Sequence, residues 1–529
     1  MKDRYYRAVG DSLLMIEAGW TRLLAGILCL LLLASTAQAQ SAVDLPALSE
    51  YFAAAGENWQ VPGFAVAIVI DDEVVFAQGY GVRELGQGAR VDQQTLFAIA
   101  SNTKAFTSAA LAMLVDEELI AWDDRVVDHL PYFQLYSPYV TEDMRIRDLL
   151  CHRSGLGTFS GDLLWYGTTY SRAEVVRRAR YLEQAGVFRA SYGYSNIMFL
   201  AAGEVIPAVT NVNWDDFVQT RFFEPLGMHN TVTSVEGLKG KTNIATPHAV
   251  KDGEVVAIEW YNWDIMAPAG GIISSVSDMA QWIRLQLERG TVDGVTFFSE
   301  TASRIMWTPH NILPVSEQSE KLYPSTHFRG YGLGWSLMDY RGRKVVSHGG
   351  GYDGMFSRVV LIPEENLGMV ILTNGMTNMQ TALTYKILDA FLGGGARDWS
   401  AEYLERSKSR KGTSESYWEV LESEREPNTR PSLPLEAYTG TYGGPMYGDA
   451  TVTLEDGHLV VQFVPNPDIM GDLSHWHYDT FQVGWRKQFA WFDRGTVQFL
   501  LDATGKVAEM KIDVPNDDLW FTELEFKRK

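Results

Sequence analysis

Ala65-Val66-Ala67-Ile68-Val69-Ile70, Asp71-Asp72-Glu73 and Val74-Val75-Phe76-Ala77-Gln78 follow one another near the start of the chain. Two apolar, β-branched runs around three acidic residues predict a hairpin. Far downstream come three more such runs, Lys344–Ser347, Phe356–Ile362 and Leu367–Leu372, with the turn Pro363-Glu364-Glu365-Asn366 between the last two. Between these outer regions the pattern becomes helical, most clearly at Ala105–Leu119 and at Trp214–Phe223, where Pro225-Leu226-Gly227-Met228 ends the helix. Strands at both ends with helices between them predict one antiparallel sheet built from both ends, with helices on it and a helical subdomain inserted. The predicted class is α/β in the α+β sense, over residues 40–395.

Downstream the composition changes. Ser407-Lys408-Ser409-Arg410-Lys411-Gly412 and Glu422–Pro434 are polar, charged and proline-bearing. They predict a linker over 396–432, with some helix around Tyr417–Leu421. After it, Ala450–Leu454, Leu459–Phe463, Gln488–Phe492, Val497–Leu501, Val507–Asp513 and Trp520–Phe526 read as short strands. Their regular spacing predicts a small all-β barrel or sandwich over 433–529.

Size and charge narrow the function. A chain of 529 residues is long for one domain. Its 66 acidic against 45 basic residues, net charge -21, would repel phosphate backbones, so nucleic acid is not the expected partner. Lys2, Arg4, Arg7 and Arg22 precede the apolar run Leu23–Ala34, and Ala37-Gln38-Ala39 follows. This is the pattern of a signal peptide over 1–39, cut after Ala39, and predicts a periplasmic or secreted protein with no stable membrane span after cleavage. Met15 is a second candidate start. Of the two cysteines, Cys29 would leave with the signal and Cys151 would stay unpaired.

The chemistry is concentrated in three short stretches. In Phe97-Ala98-Ile99-Ala100-Ser101-Asn102-Thr103-Lys104-Ala105-Phe106-Thr107, Lys104 would lie one helical turn beyond Ser101 on the same face. A serine hydroxyl needs a base, and a lysine can act as one when desolvation lowers its pKa. In Tyr192-Gly193-Tyr194-Ser195-Asn196, an extended backbone would point the Tyr194 phenol and the Asn196 amide the same way. A tyrosine beside a cationic lysine can be drawn toward phenolate and take the serine's proton, and the amide can hold a substrate amide. In Val345-Val346-Ser347-His348-Gly349-Gly350-Gly351, a strand ends in a cationic-capable side chain and three glycines, which let a substrate backbone approach.

In this order, Ser101–Lys104, Tyr194–Asn196 and His348–Gly350 resemble the signature set of the class C β-lactamase and penicillin-binding-protein-like serine hydrolases. Leu149-Leu150-Cys151-His152-Arg153-Ser154-Gly155-Leu156, Pro225-Leu226-Gly227-Met228 and Ala269-Gly270-Gly271 through Ser277-Asp278-Met279 are similar to further segments of that family. The last module resembles the lipocalin-like β domain attached to some members. The resemblance implies a two-domain exported hydrolase that cleaves an amide or ester through an acyl-enzyme on Ser101. Lys104 and Tyr194 would share general-base duty. Asn196, His348, Gly349 and Gly350 would bind substrate, and the N–H groups of Ser101 and Gly351 would form the oxyanion hole. No metal or cofactor is implied.

Histidine at 348 stands where the family usually has lysine. Partly protonated at neutral pH, it would hold a substrate carboxylate weakly. The implied substrate is a small molecule or short peptide: a D-amino-acid peptide, peptidoglycan fragment, small ester or β-lactam. The alternative is a penicillin-binding protein or β-lactam receptor that acylates but turns over poorly. Oligomeric state stays open. His475-Trp476-His477 puts two histidines on one strand face, without an evident third metal ligand. Lacking candidate catalytic residues, the last module is predicted to serve access or stability.

Overall fold

The predicted N-terminal hairpin forms, with Gly63–Ile70 (β1) and Glu73–Gly81 (β2) paired antiparallel. β1 also pairs with a strand from the far end of the region, Phe64 opposite Thr373 and Ile70 opposite Leu367. The remaining strands are Asn311–Leu313 (β3), Arg329–Tyr331 (β4), Ser336–Tyr340 (β5), Arg343–Tyr352 (β6), Met355–Ile362 (β7) and Leu367–Thr373 (β8). Together they make one eight-stranded sheet, antiparallel at every pairing, in the order β2-β1-β8-β7-β6-β5-β4-β3.

These are the coordinates of a computed structural model, which describes residues 43–409 and 412–529. The expected signal peptide, 1–39, lies outside the described residues. The chain divides into a short unit ending at Leu48 and a second, Ser49–Lys529, which contains everything described below. Among the described residues no helix is long and apolar enough to cross a membrane.

Both faces of the sheet are covered. Ala65, Ala67 and Val69 of β1, with Val370 and Leu372 of β8, join the main core. The alternate residues Phe64, Val66, Ile68, Met369 and Ile371 are equally buried, so the strands read as continuous apolar runs. Helix α1, Thr103–Asp116, is buried over most of its length. It packs against α2, Asn196–Thr210. Helix α3, Val276–Leu287, lies on β1 and β8, and α4, Met379–Phe391, on β7 and β8. The expected helix at Trp214–Phe223 is α-helical only to Val218 and continues as a π turn, Gln219–Phe223.

The expected linker is largely helical. Trp399–Ser409 (α5) binds the first domain: the Trp399 indole N–H donates to Asp389 (2.7 Å), and its ring stacks on Tyr385. Thr413–Ser423 (α6) binds the second: Tyr417 hydrogen bonds to Asp513, and Trp418 meets Trp476 edge-on.

The second domain is a closed antiparallel barrel of eight strands: Gly440–Gly444 (β9), Gly448–Glu455 (β10), His458–Phe463 (β11), Met470–His477 (β12), Thr480–Trp485 (β13), Gly495–Leu501 (β14), Val507–Asp513 (β15) and Phe526–Arg528 (β16). β16 closes on β9 through Tyr442 opposite Arg528. Gln488–Phe492 is a loop rather than the expected strand, and only Phe526 of Trp520–Phe526 is in a strand. The aromatic residues of the first loop serve a different contact: Phe489 packs on Tyr166 and Tyr261 of the first domain. A bulge interrupts the pairing of β12 between His475 and His477. His475 meets the Tyr478 carbonyl and His477 the Glu426 amide, and among the described residues no cluster is arranged to hold a metal ion.

Trp282 of α3 is 1% exposed and stacks on Phe106 of α1 at 3.7 Å. Trp282→Ala should destabilise the first domain by about 3–5 kcal/mol, read as an earlier unfolding midpoint in urea.

Candidate active site

The candidate nucleophile sits on a pinned turn. Ala100 has φ of +45°, unusual for a residue with a side chain, and Ala100–Asn102 form a 3₁₀ turn leading into α1. The Ile99 carbonyl accepts from the Asn102 amide N–H₂ (3.1 Å) and the Ser357 hydroxyl (2.7 Å), which ties the turn to β7. Strand β6 also comes close. A Cβ on Gly350 would lie 2.3 Å from both the Ile99 carbonyl oxygen and Ser357 Oγ. Gly350, expected to meet substrate, instead faces this turn, and its missing side chain lets β6 lie against it.

Lys104 points from the first turn of α1 back toward Ser101 and is fully buried. Its Nζ donates to Ser101 Oγ (3.0 Å), Asn196 Oδ1 (2.7 Å) and the Ala269 carbonyl (2.9 Å). Burial lowers its pKa to about 7, opposed by the carboxylate of Asp162. Asp162 is buried, and desolvation raises its pKa to about 8. It accepts from the Trp165 indole (2.9 Å) and the Asn196 amide (2.6 Å). Asn196, the first residue of α2, therefore stands between the lysine and the carboxyl.

Tyr194 lines the same cavity as Ser101, and its ring lies 4.8 Å from Lys104 Nζ. Burial raises its pKa well above the usual phenol value, so the expected drift toward phenolate is corrected: the group is a neutral phenol. His152 stacks on this ring at 4.0 Å, and its Nδ1 accepts from the Ser195 backbone N–H.

His348 also departs from expectation. It is 4% exposed, and desolvation, with Lys104 and Arg358 nearby, lowers its pKa to about 3. Its Nδ1 lies 2.6 Å from the Gly349 carbonyl and its Nε2 2.7 Å from the Tyr331 hydroxyl. A carbonyl only accepts, so the proton is on Nδ1 and Nε2 accepts from Tyr331. The residue is a neutral imidazole with both nitrogens engaged.

Strand β5 pairs with β6 only as far as Ser336 opposite Ser347. Beyond that, His348–Tyr352 pairs only with β7. Gly349 and Gly351, together with Ser101, Tyr194, Asn196 and His348, line a cavity of about 310 Å³. Phe159, Trp165, Tyr166 and Trp263 add aromatic walls. The barrel completes the cavity with Trp491, Asp518 and Leu519. Sequence reading missed Asp162 and Asp518, since neither stands in a pattern that marks it. His152 was visible only within its family-like segment.

A family model described as Beta-lactamase matches residues 48–392, and one described as a domain of unknown function (DUF3471) matches 424–528. An unguisins hydrolase, ungD, of Aspergillus violaceofuscus is 30% identical over 434 residues, covering 76% of this chain and 75% of the relative. Penicillin-binding protein 4 of Amycolatopsis lactamdurans is 27% identical over 65% of this chain and 89% of its own length. The octameric penicillin-binding protein homologue from Pyrococcus abyssi has the same fold, with a TM-score of 0.59 at 19% identity, covering 92% of this chain and all of that one.

The protonation states predict a pH profile. Lys104 accepts a proton only as the free amine, and His348 stays neutral far below pH 7. The rate of Ser101 modification by a fluorophosphonate should fall about tenfold per unit below pH 7, through a single ionisation. A second inflection that disappears in His348→Gln would contradict the neutral histidine.

Proposed function

The chain belongs to the beta-lactamase family, and from that membership we propose that it is an exported serine hydrolase that cleaves a small amide or ester through an acyl-enzyme on Ser101. The observation that carries this reading is the 3.0 Å hydrogen bond from a fully buried Lys104 to Ser101 Oγ. The relative named as an unguisins hydrolase adds support for hydrolysis.

In the proposed reaction, Ser101 Oγ attacks the substrate carbonyl and its proton passes to the Lys104 amine. The backbone N–H groups of Ser101 and Gly351 stabilise the oxyanion. The substrate backbone lies along the edge at His348–Tyr352, with Asn196 on its amide. As the tetrahedral intermediate collapses, the Tyr194 phenol relays the proton from Lys104 to the leaving nitrogen or oxygen. A water then attacks the acyl-serine, Lys104 takes the water's proton through Tyr194, and Ser101 is released with its own proton restored. Tyr194, as a neutral phenol, serves as a relay and Lys104 as the base.

The charges favour one substrate class. Lys104 is committed to Ser101, Asn196 and Ala269, and His348 is neutral, so neither offers a free cation to a substrate carboxylate. Asp518 presents the opposite charge. Its carboxylate forms no hydrogen bond or ion pair with another described residue, and desolvation beside Asp517 raises its pKa to about 6. The loop is shaped for this placement, because the Asn516 side-chain oxygen accepts from the backbone N–H groups of Asp518 and Leu519. A half-buried, unpaired carboxylate keeps part of its desolvation cost until a cation arrives. A substrate with a free amine near the scissile bond meets that need, with Trp491 and Tyr166 as aromatic faces for it.

Two measurements test the reading. Intact-mass spectrometry with a penicillin should show an adduct or opened product on wild type and neither on Ser101→Ala. A lasting adduct without product would favour the slow-turnover penicillin-binding alternative, and an identical adduct on Ser101→Ala would refute the nucleophile. Alanine p-nitroanilide, in its D or L form, should be cleaved at least about tenfold faster than its N-acetyl derivative, and Asp518→Asn should remove most of that preference. Equal rates for the two in wild type would refute the amine subsite.

A further inference from the structure

The barrel touches the catalytic machinery in a second way, away from the cavity wall. Glu523 lies in a single 3₁₀ turn, Phe521–Glu523, just before β16. One carboxylate oxygen accepts from the Ser160 hydroxyl (2.6 Å) and the other from the Gly161 backbone N–H (2.8 Å). Both donors belong to the hydrolase-domain segment 157–162.

That segment has an uncommon backbone. Phe159 has φ of +62° and Gly161 φ of +79°, two left-handed residues within three positions. A side chain at 161 would collide with Leu182 and Ile197. Left-handed backbone at a residue with a side chain persists only where the surroundings hold it. Three outside contacts do so. Phe159 N–H donates to the Tyr194 carbonyl (2.7 Å), the Tyr194 N–H donates to Thr158 Oγ1 (3.1 Å), and Glu523 holds the next two residues.

The segment thus holds one site residue and braces another. It pairs with the backbone of Tyr194 and places Asp162, which reaches Lys104 through Asn196. From the barrel to the nucleophile the links run Glu523, Gly161 and Asp162 along the backbone, Asn196, Lys104 and Ser101.

We propose that Glu523 of the barrel is a positioning residue for the catalytic base: by clamping Ser160 and Gly161 it fixes Asp162 and Tyr194 around Lys104, so the barrel is part of the serine's activation. The role of Lys104 as base rests on the reading under Proposed function. Glu523 does not touch substrate. Releasing the clamp would loosen the 157–162 turn and admit water beside Lys104. Desolvation is the main cause of the lysine's lowered pKa, so hydration would move that pKa back up.

The test compares wild type, Glu523→Gln, Glu523→Ala and Ser101→Ala as full-length protein. The rate of fluorophosphonate labelling is followed from pH 5 to 10, with hydrogen exchange and melting temperature measured in parallel. In Glu523→Ala the acidic limb should move to higher pH by about one unit, with labelling at pH 7 down about fivefold and less affected at pH 9.5. Glu523→Gln keeps one acceptor oxygen and should fall between. Exchange at the amides of Phe159 and Tyr194 should rise in the same order. A lower melting temperature with an unmoved limb and unchanged exchange at those amides would overturn the proposal, leaving Glu523 a purely structural contact. Labelling that survives in Ser101→Ala would sink the functional reading instead, and the exchange data would still decide whether Glu523 holds the turn.

Discussion

Lys104 is carried out of contact with solvent, and a charged ammonium resists that transfer. In water a lysine is a neutral amine about one time in two thousand or less at pH 7. With its pKa lowered to about 7, roughly half of the molecules hold the amine ready. Much of the site can be understood as making that burial tolerable without returning a full charge to the lysine. Three oxygens accept from Nζ, so no N–H is stranded. The nearest carboxyl is set one amide away, behind Asn196, and is itself desolvated enough to hold its proton more tightly than usual. A carboxylate in direct contact would raise the lysine's pKa and weaken it as a base.

The same dry surroundings set the states of the neighbours. His348 and Tyr194 are kept neutral by burial, one as an imidazole bonded at both nitrogens and the other as a phenol. An imidazolium at 348 would place a second cation near Lys104, and a phenolate at 194 would lie against buried carboxyl and phenol groups. Both ionised forms suit water better than this cavity. The loss of a cation at 348 changes recognition more than chemistry, since the proton path from Ser101 to Lys104 does not pass through the imidazole.

Much of this was legible in the sequence, for identifiable reasons. The sheet announced itself because β1 and β8 are covered on both faces and so are apolar at nearly every position, even though partners such as Phe64 and Thr373 are far apart in the chain. Ser101 and Lys104 are legible because helical spacing brings them together. Tyr194 and Asn196 are two residues apart and do line one cavity, although Asn196 opens a helix. What stayed hidden depends on contacts between distant segments. Nothing in Gly161-Asp162-Leu163 marks Asp162 as the partner of Asn196. Nothing near Gln488–Phe492 distinguishes apolar residues facing a barrel core from those facing another domain. The protonation of His348 could not be read either, because it depends on burial that Tyr331 and the surrounding strands supply.

A barrel after a complete hydrolase fold looks like an accessory by composition, yet its contacts with the first domain are not spread at random. Its loops place Trp491 and Asp518 in the cavity wall, Phe489 against Tyr166, and Glu523 on the turn before Asp162. Asn466 also donates to the Tyr166 carbonyl and the Tyr261 hydroxyl, behind the wall formed by Tyr166 and Trp263, both of which donate to Asp353. A closed barrel suits this task because its strands pair among themselves and leave no edge to be satisfied by the neighbouring domain. The connecting loops are then free to differ in length and chemistry while the barrel holds their ends. Binding groups can thus change on the barrel side while the lysine, the serine and the edge of β6 stay in the hydrolase domain. On the proposed reading, charge selection lies largely on one domain and bond making on the other, with the turn at 157–162 as their shared component.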